Sequence, residues 1–393
     1  MKEFLEGSRA VAEIVKLCQP AVISAYPITP QTHIVEELAQ FVANGELKSQ
    51  FINVESEHSA ASVVLGASAT GVRVYTATSS QGLIYMSEVL FNIAGMRLPL
   101  VLTCANRALS APINIWNDQQ DSVSLRDSGW LQFYVEDVQE TADFHLIAYR
   151  LAEDKSIMLP VMVNMDGFIL THGIETVDIP AQEQVNAFLP AYKPLYKLDP
   201  EDPVSMGLLA DPDYYMETRY AIQETMKTAL ALIPKVAAEF SKVFGRSYNG
   251  LIEEYRTKDA ERVIVAMGSV CGTIKEVVDE LRVKGRKVGL LKITCLRPLP
   301  AQQICEALKN IPKIAVIDRA LSLGSFAPLV SEIKAVFFGK NKKPQVISSF
   351  IAGLGGRDIT KDSIREVFRL LTAKERTCEF IDLKPELLQE NYG

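Results

Sequence analysis

Residues 72–105 contain Val72-Arg-Val-Tyr-Thr-Ala77, a helical stretch over 81–96, and Pro99-Leu-Val-Leu-Thr-Cys-Ala105. Two short β-rich runs around one helix predict a strand–helix–strand unit, the building block of parallel sheets. The alternation extends in both directions. Toward the N-terminus, helices over 8–18, 31–43 and 57–70 alternate with strands over 20–25 and near 50–54. Toward the C-terminus, a mostly irregular stretch over 106–129 leads to a strand near 130–135, a helix over 138–153 and a strand over 159–164. The series predicts an α/β domain, a parallel sheet with helices on both faces.

The pattern changes after Phe168. Pro180, Pro190, Pro194, Pro200, Pro203 and Pro212 predict an extended connecting arm, then a helix over about 216–243. A second alternating series opens at Arg262-Val-Ile-Val-Ala. Strands near 263–267, 287–293, 313–318 and 345–349 are separated by helices over 272–284, 300–310, 325–337 and 361–373. The expected division is a first domain over 1–258, including the arm at about 174–258, and a smaller α/β domain with a tail over 259–393.

At 393 residues, 48% hydrophobic and 23% charged, the chain has globular composition and room for two or three domains. The formal charge of -7, with no long block of like charge, speaks against nucleic-acid binding and against a polybasic membrane contact. No apolar run approaches the ~18 residues of a membrane span. The N-terminus mixes acids with apolar residues and does not resemble a secretory signal. None of the six cysteines forms Cys-x-x-Cys, so no zinc or iron–sulfur ligand set, and no metal, is expected on this chain. They read as small apolar fillers in a reducing, cytoplasmic compartment.

Ligands of an open parallel sheet collect where strand ends lead into helix starts. Four such loops carry chemistry here: Tyr26-Pro-Ile-Thr29-Pro30, Val54-Glu-Ser-Glu57-His58-Ser59, Thr76-Ala-Thr-Ser79-Ser80-Gln81-Gly82 and Asn106-Arg107-Ala-Leu-Ser-Ala-Pro112. A hydroxyl, a carboxylate, a hydroxyl cluster and a guanidinium thus share one edge. Each has a structural reading too. Ser56 or Ser80 can cap a helix, and Thr29 can stiffen a turn. Arg107 can clamp Asp118 or Asp121, Glu57 can simply favour a helix dipole, His58 can be a packed neighbour, and Asp166 can open a turn. The Ser/Ala/Gly-rich helix over 57–70 buries little by itself, which implies a large partner surface or a tight helix–sheet contact.

At these loops the sequence resembles the α subunit of the multi-subunit pyruvate:ferredoxin oxidoreductases (pyruvate synthases), in the 2-oxoacid:ferredoxin oxidoreductase family. The matching segments are 26–32, 54–60, 76–82, Asn106-Arg-Ala-Leu-Ser-Ala-Pro-Ile-Asn-Ile-Trp116, Arg126-Asp-Ser-Gly-Trp130, Asp166-Gly-Phe-Ile-Leu-Thr-His172 and Gly353-Leu-Gly-Gly-Arg-Asp358. The resemblance implies a thiamine-diphosphate-binding domain of the pyrimidine type, followed by a smaller transketolase C-terminal-like α/β domain. It implies thiamine diphosphate shared with a β subunit that supplies the diphosphate and Mg2+ site. The [4Fe-4S] clusters are expected on other partners among the β, γ and δ subunits. Met165-Asp166-Gly167 has Met where the metal motif has Gly, in keeping with that division, and the chain alone should be inactive.

By the same resemblance, Glu57 hydrogen-bonds the aminopyrimidine nitrogen, a contact that favours the imino tautomer and removal of the thiazolium C2 proton. Thr29 and Arg107 hold the substrate; a guanidinium meets a planar carboxylate with two N–H groups. Ser79, Ser80 and Gln81 line the cofactor pocket, and Glu55 supports at most. The implied reaction is oxidative decarboxylation of pyruvate to acetyl-coenzyme A and carbon dioxide, with electrons passed to ferredoxin. Relatives acting on branched-chain 2-oxo acids share the first motifs, but residues 108–115 resemble the pyruvate type. A non-catalytic scaffold is the alternative from another class; it would need none of Glu57, Arg107 and Thr29. Gly353-Leu-Gly-Gly-Arg-Asp358 lacks dinucleotide spacing and reads as a tight turn.

Overall fold

The computed structural model describes residues 2–388. It divides into two compact units: residues 1–252 with 294–300, and residues 253–293 with 301–393. The first unit begins with β1 (Lys2–Glu6), α1 (Gly7–Cys18), β2 (Val22–Ala25), α2 (Thr32–Ala43), β3 (Gln50–Asn53) and α3 (Glu57–Ala69). It continues with β4 (Val74–Thr78), α4 (Ser80–Tyr85), α5 (Ser87–Gly95), β5 (Val101–Asn106), α6 (Gln120–Ser124) and β6 (Leu131–Tyr134). Then come α7 (Val138–Ala152), β7 (Val161–Asp166), β8 (Ile174–Asp178), α8 (Gln182–Phe188) and α9 (Pro212–Phe244).

Its sheet has seven strands, ordered β12-β6-β7-β5-β4-β2-β3, where β12 is Cys295–Arg297. All pairs are parallel except β12 with β6. Strands β5 (Val-Leu-Thr-Cys-Ala-Asn) and β7 (Val-Met-Val-Asn-Met-Asp) are buried throughout, as central strands covered on both faces must be. Alternate residues feed two different cores. Tyr75, Ala77, Val101 and Ala105 join the cluster that packs α1, α7 and α9, whereas Val74, Leu102 and Cys104 join the cluster beneath α3 and α5. Helix α1 buries Ala10, Val11, Ile14, Val15 and Cys18 on one stripe and stops where Gln19 turns left-handed (φ 55°).

The second unit contains β9 (Ile252–Tyr255), β10 (Arg262–Ala266), α10 (Val270–Val283), β11 (Val288–Ile293), α11 (Ala301–Leu308) and β13 (Lys313–Asp318). It ends with α12 (Pro328–Val336), β14 (Val346–Ile351), α13 (Lys361–Leu370) and β15 (Glu379–Phe380). The strand order is β15-β14-β13-β10-β11-β9. The Gly353 motif is a turn: Gly353, Gly355 and Gly356 all take positive φ after β14.

Three expectations change. The helix over 81–96 is two helices, α4 and α5, interrupted at the buried Met86. The arm is not wholly extended, since β8 pairs antiparallel with β1 and α8 follows. Pro212 starts α9 rather than blocking it. Asp211 accepts the Asp213 N–H at 3.0 Å, and proline at the first helical position gives up an N–H that would be unpaired anyway.

Candidate active site

The order of the first sheet reverses at β2, with β3 on one side and β4 on the other. A crevice outside the carboxyl ends of β2 and β4 follows from such a reversal. Thr29 lies in the loop after β2, Thr78 ends β4 with Ser79 and Ser80 just beyond it, and Asn106 and Arg107 lie at the end of β5.

Glu57 is the first residue of α3, and Ser56 before it caps the helix, its hydroxyl accepting the Ser59 N–H at 3.2 Å. The cap reading of Ser56 thus holds, and Glu57 is free to point elsewhere. Its side chain is buried, and no hydrogen bond or ion pair to its carboxylate is found among the described residues. The group lies against Gly82. A Cβ on that glycine would come within 2.7 Å of Glu57 Oε1 and 2.5 Å of Thr78 Oγ1. Beside it, the buried hydroxyls of Thr78 and Ser79 also lack partners. Burial that leaves two hydroxyls unpaired beside a carboxylate with no partner in the chain is costly unless something else pairs them. The donor set suits a planar heterocycle carrying ring nitrogens and an amino group, so the residues fit the aminopyrimidine end of thiamine diphosphate.

Arg107 is nearly buried, and its guanidinium is fixed by carbonyls: Nε donates to Asn114 O at 2.9 Å and Nη1 to Thr29 O at 2.8 Å. Five N–H donors less these two leave three for a ligand. Thr29 and Arg107 are therefore brought together, with Thr29 itself exposed. Burial draws the Arg107 pKa down, opposed by the charge of Asp121. The expected clamp takes another form, because Asp121 accepts the Arg107 backbone N–H at 3.0 Å and not the guanidinium. The loop after Arg107 closes on itself through Ala108 N–H to Trp116 O at 3.0 Å.

Ser80 is not a cap. It holds a left-handed φ of 49°, its N–H donates to Asp121 at 3.0 Å, and its hydroxyl lies within 2.5 Å of both Ala108 O and Gln81 Oε1, with one proton to donate between them. His58 stands as a ring neighbour of Tyr85 at 5.8 Å. Asp166 ends β7, its carbonyl accepts the Leu170 N–H of the following turn at 2.9 Å, and its carboxylate accepts from Gln119 at 3.4 Å. Glu55 is occupied locally with the Ser59 hydroxyl. The sequence missed Gln31, which is fully buried and joins the β2 loop to β4 through Nε2 to Ala77 O at 2.8 Å. It also missed Gly82, where only the close approach of Glu57 reveals the need for a missing side chain.

No helix among the described residues is long and apolar enough to cross a membrane. Residues 13–238 match the family described as "Pyruvate flavodoxin/ferredoxin oxidoreductase, thiamine diP-bdg", and residues 260–364 match "Pyruvate:ferredoxin oxidoreductase core domain II". The chain is 53% identical over 382 residues to pyruvate synthase subunit PorA of Methanothermobacter thermautotrophicus, covering 97% of this chain and 98% of that one. It is 45% identical over 368 residues to ketoisovalerate oxidoreductase subunit VorA of Pyrococcus horikoshii, covering 93% of each. Among solved structures, a 2-oxoglutarate:ferredoxin oxidoreductase from Magnetococcus marinus shares the fold with a TM-score of 0.71 at 20% identity. That match covers 94% of this chain, which spans 64% of the other's length. A split-gene transketolase matches at a TM-score of 0.52, 13% identity and 93% and 98% coverage, which extends the fold likeness to transketolases. On the family matches and the full-length identities together, this chain belongs to the pyruvate:ferredoxin oxidoreductase family, as an α-type subunit.

Proposed function

We propose that this chain contributes Glu57, Thr29 and Arg107 to the oxidative decarboxylation of pyruvate to acetyl-coenzyme A and carbon dioxide, with electrons passed to ferredoxin. Partner β, γ and δ subunits would supply the diphosphate and Mg2+ site and the [4Fe-4S] clusters. The observation that carries the reading is the buried Glu57 carboxylate, unpartnered within the chain and flanked by the unpaired hydroxyls of Thr78 and Ser79. The identity to pyruvate synthase subunits supports pyruvate over a branched 2-oxo acid. The six cysteines, none of them in a disulfide, accord with a cytoplasmic setting.

When bound, thiamine diphosphate supplies the nucleophilic carbon and the electron sink that decarboxylation needs. The chain's residues do the rest. Glu57 holds a proton against the aminopyrimidine nitrogen, and burial keeps water from competing for it. Gly82 leaves the space in which Glu57 lies. Arg107 presents its remaining N–H groups to the pyruvate carboxylate, with its position set by the carbonyls of Thr29 and Asn114. The Thr29 hydroxyl donates to the substrate oxygen on which negative charge develops. Ser79, Ser80 and Gln81 line the cofactor side, and the second unit is assigned the transketolase C-terminal-like role in assembly.

The test is the anaerobically assembled heteromer, assayed for coenzyme A-dependent ferredoxin reduction with pyruvate and with 2-oxoisovalerate. Pyruvate should be preferred, and Glu57→Gln should lower turnover by roughly 100- to 10,000-fold, the size of a lost proton-transfer group, while assembly persists. Preference for the branched acid would overturn the substrate. Full activity in Glu57→Gln would overturn the role of Glu57.

A further inference from the structure

We infer that Asp121 is a positioning residue for substrate binding, one buried carboxylate that sets the places of Arg107 and Ser80 at once. The inference rests on the reading of Arg107 as the anchor of the pyruvate carboxylate. Asp121 is fully buried. Its Oδ2 accepts the backbone N–H of Ser80 and of Arg107, each at 3.0 Å, and the Cys104 thiol at 3.6 Å. Its Oδ1 accepts Asn106 Nδ2 at 2.8 Å and its neighbour's Ser122 N–H at 2.7 Å. A carboxylate has about four acceptor sites, so four N–H donors saturate it.

The Oδ2 contacts distinguish this from a helix start. A carboxylate that merely opened α6 would accept from the N–H groups of α6, as Oδ1 does with Ser122. Oδ2 instead takes N–H groups from the ends of two neighbouring strands: Ser80 follows β4 and Arg107 follows β5. Ser80 also holds a left-handed backbone, a conformation that needs outside support in a residue with a side chain. The Ser80 hydroxyl to Ala108 O contact ties the same two loops a second time. Removing Asp121 therefore releases both loops together and moves the Arg107 backbone, on which the direction of its guanidinium depends. Asn106 fixes the expected behaviour of an amide at this position. Its Oδ1 has no partner, so an Asn at 121 can turn its carbonyl to Ser80 and Arg107 while Asn106 turns its own to the new amide, leaving the Ser122 N–H as the one donor that loses its acceptor.

The experiment is steady-state kinetics on the assembled heteromer carrying Asp121→Ala, Asp121→Asn, Arg107→Gln and the double variant Asp121→Ala/Arg107→Gln. Misplacement of a binding group by about 1 Å costs up to ~100-fold, so Asp121→Ala should raise the pyruvate KM on the order of tenfold, with a smaller change in kcat. Loss of folded protein alone would lower kcat and leave KM where it was. Asp121→Asn should recover most of the wild-type KM; should Asp121→Ala not assemble, Asp121→Ser takes its place with the same expected rise in KM, since one short hydroxyl does not reach far enough to accept both N–H groups. In the Arg107→Gln background Asp121→Ala should add little, because it acts through the group already removed. A raised KM in Arg107→Gln with an unchanged KM in both Asp121 variants, or full additivity in the double variant, would overturn the inference while leaving the anchor reading intact. An unchanged KM in Arg107→Gln would overturn the anchor reading and this inference with it.

Discussion

Asp121 in the first unit and Asp318 in the second are both buried carboxylates at the carboxyl edge of a parallel sheet, yet their donors come from different places. Asp318 ends β13 and accepts the N–H groups of Leu329 and Val330, at 2.6 and 3.1 Å, both in the first turn of α12. It closes the start of the next helix in the chain, with negative charge at the positive end of the dipole. Asp121 holds two loops apart from its own element, and around it Thr78, Ser79 and Asn106 keep polar atoms without partners. Similar folds thus use the same residue type once to close a helix start and once to fix two loops beside groups left open to a ligand. At the first unit's edge the ligand side is marked by the Glu57 carboxylate and the Thr78 and Ser79 hydroxyls, which the chain itself leaves without partners.

Gly82→Ala tests that contrast most severely. The new Cβ would lie 2.5 Å from Thr78 Oγ1 and 2.7 Å from Glu57 Oε1, closer than real atoms approach, so the carboxylate or the loop has to move. Turnover of the heteromer should fall on the order of 100-fold, since a displaced catalytic group loses that much. The unfolding midpoint should change little. Turnover near wild type would mean that Glu57 does not need its observed place, and the edge of the first unit would lose its distinction.

Much of this edge was legible because parallel strands covered on both faces are written as dense β-branched runs, with loops between them that carry the polar residues. Thr29, Glu57, Ser80 and Arg107 could be located by counting strand ends. The bonds among them could not. Asp121 is 41 residues from Ser80 and 14 from Arg107, and only the folded chain puts one oxygen between their N–H groups. Strands β1 and β8 escaped notice because Lys-Glu-Phe-Leu-Glu and Ile-Glu-Thr-Val-Asp are short, mixed in polarity and paired only with each other. Strand β12 has three residues, too few for any periodicity, and it joins the first sheet from a segment between β11 and α11. Pro212 misled because proline stops a helix from inside but starts one at its first position.

A second test concerns polar groups deep in the first unit, away from the open edge. His145 is fully buried on α7, with Nδ1 against Thr141 O at 2.7 Å and Nε2 against Thr103 Oγ1 at 2.5 Å. The Tyr75 hydroxyl reaches the same Thr103 oxygen at 2.6 Å. Each partner is supplied by the chain, and burial pulls the His145 pKa down to about 4. Its folded value lies below its unfolded one, so its contribution is present above about pH 6.5 and is lost as pH falls toward 4. Between pH 7 and 5 this amounts to roughly 2 kcal/mol, at 1.36 kcal/mol per pH unit. Urea midpoints measured across that range should fall with pH in the wild type and less steeply in His145→Gln. Equal slopes would show that this network does not hold the imidazole neutral.

The mildest change addresses the second unit. Asp318→Ala removes the acceptor for two N–H groups of α12 and a favourable charge at its start. Loss of such a cap costs about 1 to 2 kcal/mol. The unfolding free energy of the second unit should drop by that amount, while the pyruvate KM and kcat of assembled enzyme stay within about twofold of wild type, a span under 0.5 kcal/mol. The pairing with Asp121→Ala is what gives the measurement force: two buried aspartates, one variant moving stability and the other moving KM. A KM shift of similar size from Asp318→Ala would show that the second unit's edge bears on substrate too, and the source of a carboxylate's donors, one helix start or two separate loops, would then no longer separate a structural edge from a functional one.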